Sequence, residues 1–149
     1  MNVTLISTYD LGHQPFGLAS LAAWLGDEGA GVTCNDTAVS PLAEDAVRTS
    51  ELFCIHLAMH TATRLALELL PRIRALNGSA HICFFGLYGP PNADILGDFA
   101  PCSIIGGEFE ADIPSLYRRL ADADNRKIEA VMVSMDKLAH RSPDRSGLP

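Results

Sequence analysis

Three stretches of the chain are apolar at consecutive positions: "VTLIS" from Val3, "LFCIHL" from Leu52 and "HICFF" from His81. A strand with one wet face alternates apolar and polar residues, whereas consecutive apolar positions suit strands covered on both faces, as in a parallel sheet. On this basis strands are predicted at Asn2 to Ser7, Gly31 to Asn35, Leu52 to Leu57, His81 to Phe85 and Ser103 to Ile105. Helical spacing fills the intervals. Leu18, Leu21, Ala22 and Leu25 make one apolar stripe behind Pro15, which suits a helix start, and Gly29 and Gly31 stop it. A longer helix is predicted from Thr61 to Leu76, with Leu65, Leu69, Ile73 and Leu76 on one face and Pro71 as a flaw inside it. Ile113, Leu116, Tyr117 and Leu120 define a third helix, and weaker ones are expected over 42–48 and 91–98.

Strand and helix alternate with short links, which predicts an α/β fold of three layers, α/β/α. Right-handed crossovers make a doubly wound, five-stranded parallel sheet the economical arrangement, flavodoxin-like or Rossmann-like in order 2-1-3-4-5. Residues 1–122 form this domain. Residues 123–149 read differently: "IEAVMVS" is a possible edge strand, and "RSPDRSGLP" has the composition of a linker, here toward a further C-terminal domain.

The 149 residues suit one domain, and 48% hydrophobic with 19% charged residues marks a globular chain. The net charge of −7, with no basic cluster, argues against a nucleic-acid partner. No apolar run is long enough to cross a membrane, and "MNVTLIS" lacks the features of a secretory signal, so a cytoplasmic location is expected. Cys34, Cys54, Cys83 and Cys102 lie in or beside apolar runs without metal-like spacing, and read as reduced, small hydrophobes.

Ligands of open α/β sheets bind beyond the carboxyl ends of the strands. Those loops are "TYDLGHQPFG", the turn at Asp36, "AMHTAT", "GLYGPPN" and "GGEFEAD", and they hold the unusual residues; "GDEGAG", "RTSE" and "LNGSA" at the other edge are ordinary connectors. Each candidate has a plainer alternative. His13 is a ligand or a solvent-facing histidine. His56 and His60 have i, i+4 spacing, but a strand end and a helix start do not share a helical face. Gly86, Gly89 and Pro90-Pro91 allow close approach of a ligand or simply make a turn. Glu108, Glu110 and Asp112 complement a helix dipole with or without another role. A dinucleotide fingerprint, a P-loop and a nucleophile elbow are all missing from the sequence. The acidic pair and late lysine of a phosphoacceptor receiver are also not in place.

"QPFGLASLAAWLGDEGAGVTCND" resembles the opening of the cobalamin (vitamin B12)-binding domains fused to radical S-adenosylmethionine (radical SAM) enzymes. Pro15, Gly17, Leu18, Leu21, Ala22, Ala23, Leu25, Gly29 and Asp36 carry the match. "IIGGEFEADIPSL" is similar to the stretch that follows strand five in that family, with Phe109 where glycine is usual. Within the group the chain looks most like the CUAEP/CCAEP-tail radical SAM proteins. The resemblance implies a corrinoid held across the carboxyl ends of the strands. Tyr9, Asp10, His13 and Gln14 would line the entrance, and His56, Met59 and His60 would face the corrin. Gly86, Tyr88, Gly107 and Glu108 would hold the nucleotide tail. His13 is the candidate cobalt ligand, although Asp10, His13 and Gly17 form D-x-x-H-x-x-x-G where methionine-synthase-like domains carry D-x-H-x-x-G.

The radical SAM motif C-x-x-x-C-x-x-C is missing from the sequence, so no iron–sulfur cluster is expected in this chain. It would not be catalytic alone; a radical SAM catalytic domain would act with it in cis or in trans. The alternative expectation is a degenerate, cofactor-free α/β domain used for interaction or substrate presentation. His56 replaces a small residue of the family, and Gly86-Leu87 stands for its glycine pair; a nucleotide tail needs a deep slot lined by small residues, so filling of that slot by His56, Met59, Leu87 and Tyr88 would separate the two expectations.

Overall fold

A computed structural model describes residues 1–122, 131–135, 137–139 and 141–149. The strands are β1 (Asn2–Ser7), β2 (Gly31–Asp36), β3 (Leu52–His56), β4 (His81–Phe85), β5 (Cys102–Gly107) and β6 (Val131–Ser134). They form one six-stranded sheet in the order β2-β1-β3-β4-β5-β6, with every pairing parallel. The expected order 2-1-3-4-5 is therefore present, but the sheet has one strand more than the five predicted. The addition is the possible edge strand of the tail: within "IEAVMVS", "VMVS" pairs from Ile104↔Val131 to Gly107↔Ser134 at the sheet edge.

The helices are α1 (Phe16–Asp27), α2 (Glu44–Thr49), α3 (His60–Leu76), α4 (Ala93–Leu96) and α5 (Asp112–Ala121). The helix expected over 91–98 is broken up: only α4 is α-helical, between 3₁₀ turns at Pro90–Asn92 and Gly97–Phe99. The adjacent prolines Pro90 and Pro91 supply no N–H to an α-ladder, which favours the tighter turn. Pro71, by contrast, does not interrupt α3. It lies on the exposed side of that helix, where water can take the carbonyl left without a donor.

Each central strand divides its side chains between two cores. Val3, Leu5, Cys54, Cys83, Phe85 and Ile105 meet α1 and α5 through Leu18, Leu21, Leu25, Ile113 and Tyr117. Ile6, Phe53, Ile55, Phe84 and Ile104 meet the other layer through Val47, Ala66, Leu70 and Ile73. This is why β1, β3 and β4 are apolar at consecutive positions. No helix among the described residues is long and apolar enough to cross a membrane.

Candidate functional site

At the carboxyl edge one register row crosses the sheet: Asp36, Ser7, His56, Phe85, Ile105 and Met132. Partners in a parallel register project to the same face, so the polar members of this row stand toward α1 and α5. The row joins two environments.

The first lies above β1 and β2. Leu11 and Gly12 adopt successive left-handed conformations, with φ of 51° and 77°. The turn is closed by the His13 amide donating to the Asp10 carbonyl at 2.8 Å. It brings Asp10, His13 and Gln14 opposite Asp36 around a cavity of about 340 Å³. Burial raises the pKa of Asp10; His13 opposes that shift and Asp36 adds to it. Asp36 is itself buried and accepts from the Ala38 amide at 3.0 Å.

The chain's last described segment completes this cavity. The Asp144 amide donates to the Ala19 carbonyl at 2.9 Å, and Leu148 packs against the α1 core. Arg141 pairs with Asp27 and places its guanidinium 4.4 Å from the centre of the Trp24 ring. Arg145 donates to Gln14, whose own amide donates to the Pro149 carbonyl at 3.1 Å, and Pro149 lines the cavity. A segment with linker composition is thus fastened along α1 as far as the candidate site.

The second environment surrounds His56 above β3 and β4. Its imidazole stacks on Phe85 with centroids 4.8 Å apart and planes at 21°. Phe109 closes the side, 6.3 Å from His56 and 4.7 Å from Phe85. The ring fills the space that a side chain at Gly17 would need: a Cβ there would lie 2.7 Å from its Cε1. A Cβ on Gly86, at φ 107°, would meet the Leu57 carbonyl at 2.9 Å and His56 Cδ2 at 3.2 Å. Glycine at 17 is therefore accounted for by the imidazole, and glycine at 86 by its positive φ and the Leu57 carbonyl, with the imidazole adding a further contact. Burial lowers the pKa of His56 to about 4, and its Nδ1 is buried without a partner in the described structure, as is the Ser7 hydroxyl in the adjacent strand.

The remaining expected site residues are dispersed. Tyr9 is half-buried at the start of the first loop. Met59 is half-buried ahead of α3, and His60 is exposed as its first residue. Leu87 and Tyr88 point outward and do not supply the filling bulk; Phe85 and Phe109 do, together with His56. Gly107 and Glu108 are engaged with β6. A Cβ on Gly107 would collide with the Ser134 carbonyl, which also accepts the Glu108 amide at 2.8 Å. Glu110 turns inward, where its carboxylate accepts from Ser20 at 3.2 Å and ties the loop ahead of α5 to α1.

Sequence reasoning missed Ser7, Phe85 and the return of the tail along α1, although it did expect an edge strand in "IEAVMVS". Ser7 was legible only as the polar end of an apolar strand, and Phe85 only as core. Among the described residues, no three His, Cys, Asp or Glu side chains converge as a metal site. No protein-family model matches the chain, and neither a curated protein nor a solved structure matches it.

Proposed function

We propose that this chain is a cofactor-free α/β domain, built on the plan of a cobalamin-binding domain and used for interaction or substrate presentation beside a catalytic partner. The observation that carries the proposal is the imidazole of His56. In the resembling family the nucleotide tail of the corrinoid enters between the strand ends and the helices, through a slot lined by small residues. Here that space, between Gly17 and Gly86 and against Phe85, is taken by His56, with Phe109 beside it. Interiors are close-packed, and the whole aromatic cluster would have to leave before a buried ring system could enter. The side chains as packed do not fit a buried corrinoid tail.

The competing proposal, a corrinoid held at the carboxyl edge with His13 to cobalt, draws on the exposed position of His13 at the mouth of the cavity. An absorbance titration of the purified chain with hydroxocobalamin and methylcobalamin separates the two. The cofactor-free domain gives no spectral change and no co-elution of corrinoid on gel filtration, well above micromolar concentration. A saturable shift toward the base-off spectrum, lost in His13→Ala, would overturn it.

A further inference from the structure

We infer that the carboxyl edge of the sheet is a protein-docking face, whose partner presents an apolar centre ringed by lysine and arginine. This rests on the interaction reading above and names the partner's chemistry. Scattered apolar residues on a surface need no explanation, but their concentration on one face does. Leu11, Phe16, Val39, Leu87, Tyr88 and Met135 are all exposed, Leu87 at 72% and Val39 at 66%. Each stands in a segment that follows the carboxyl end of a strand, Phe16 as the first residue of α1; Ile95 in α4 and Val133 within β6 are exposed as well. The connectors of the opposite edge, 28–30, 50–51, 77–80 and 100–101, carry no exposed large apolar side chain.

The face is also held in shape. The Tyr88 amide donates to the Leu57 carbonyl at 3.1 Å, and Asn92 Nδ2 donates to the Tyr88 carbonyl at 2.7 Å. A loop pinned in this way loses little conformational freedom when a partner binds.

Charge selects the partner. The loops that follow β1 to β5 contain no lysine or arginine, while they and their borders carry Asp10, Glu108 and Asp94. Arg48, Arg72, Arg74, Arg118 and Arg119 lie in the C-terminal halves of α2, α3 and α5, toward the other edge; Arg64, in the N-terminal half of α3, is paired with Glu68, and Lys137 stands two residues beyond Met135. Arg145 reaches the face from the tail but is engaged by Gln14. A second copy of this chain would set acidic groups against acidic groups. A basic rim is complementary and would also speed encounter.

The test uses the full chain, labelled with nitrogen-15, and two amphipathic helical peptides, one of leucine and lysine and one of leucine and glutamate. The leucine–lysine peptide is expected to shift the amide signals of the loops after β1, β2 and β4, and the leucine–glutamate peptide to bind at least about tenfold more weakly. In Phe16→Glu/Leu87→Glu the affinity for the leucine–lysine peptide is expected to fall by about tenfold or more. Those substitutions add negative charge, so attraction by charge alone would tighten binding; a loss marks apolar contact. Both positions are exposed, and circular dichroism confirms that the variant is folded before it is used.

The inference is overturned if both peptides bind alike, if the variant binds undiminished, or if the shifts map to the opposite edge. It is equally overturned if the leucine–lysine peptide fails to bind at about 1 mM. Hydroxocobalamin added to a parallel sample reports on the cofactor-free reading by itself. Corrinoid binding alongside intact peptide binding would overturn that reading and leave the docking face standing.

Discussion

Replacing Gly17 with alanine tests whether His56 is the group that the glycine accommodates. The added methyl would sit 2.7, 2.9 and 3.0 Å from Cε1, Nε2 and Nδ1 of the imidazole, against an ordinary contact of 3.4–4 Å. The ring has little room to retreat, because Phe85 stacks on it and Phe109 closes the side. Overpacking of this kind costs about 1–3 kcal/mol. Alanine in a helix recovers up to about 1 kcal/mol relative to glycine, so a net loss of about 1–2 kcal/mol is expected. For a chain of this size that lowers Tm by about 3–8 °C. His56→Ala alone also destabilises, by leaving a cavity. In Gly17→Ala/His56→Ala the new methyl enters vacated space, so the double variant should be more stable than the summed single effects by at least about 1 kcal/mol. Thermal and urea unfolding of the four proteins measure this. A Gly17→Ala protein as stable as its parent, or strictly additive effects, would refute the packing described for His56.

Burial holds both His56 and His81 at about 4, with Arg74 adding to the effect on His81. An unfolded histidine takes its proton near 6.5, so stability is full above that pH, falls as pH drops toward 4 and levels off below; His56 alone accounts for about 3 kcal/mol, and His56→Gln should flatten the profile of ΔG against pH by that share. Cys34 is raised to about 11, first by burial and then by Asp144, and Gly147 lies over it. Loosening the tail with Arg141→Ala/Leu148→Ser should speed thiol labelling of Cys34 several-fold and shift the emission of Trp24; unchanged labelling would show that the tail does not cover this thiol. Arg74 donates to the carbonyls of Ala80, Phe99 and Pro101, joining the end of α3 to the starts of β4 and β5. Arg74→Met should cost about 2–3 kcal/mol in urea unfolding, and a neutral result would mean that these bonds add nothing over hydration.

Much of the fold is legible because its signals are local. β1 and β4 lie at their predicted positions, and α1, α3 and α5 follow their apolar stripes to within a few residues. The turn at Pro90-Pro91 was legible in the sequence as well, while the helix expected over 91–98 is reduced to Ala93–Leu96. The site was legible only as a set of loops. Asp10, His13, Gln14 and Asp36 do share a cavity, whereas Gly107 and Glu108 belong to the junction with β6. That separation depends on a strand lying some 25 residues away in sequence, which no local pattern can report.

By itself, the sequence determined the layered α/β plan and the edge of the sheet at which polar and apolar loops gather. Both follow from burial periodicity and from the direction of the strands, properties of neighbouring residues. Only the tertiary structure decided that Gly17 and Gly86, which share no local sequence pattern, close on the same imidazole. Only it decided that a linker-like tail runs back along α1 to the cavity. Such contacts are fixed by register and by competition for space between distant segments, so a residue that reads as a ligand in sequence can be a filler in the fold.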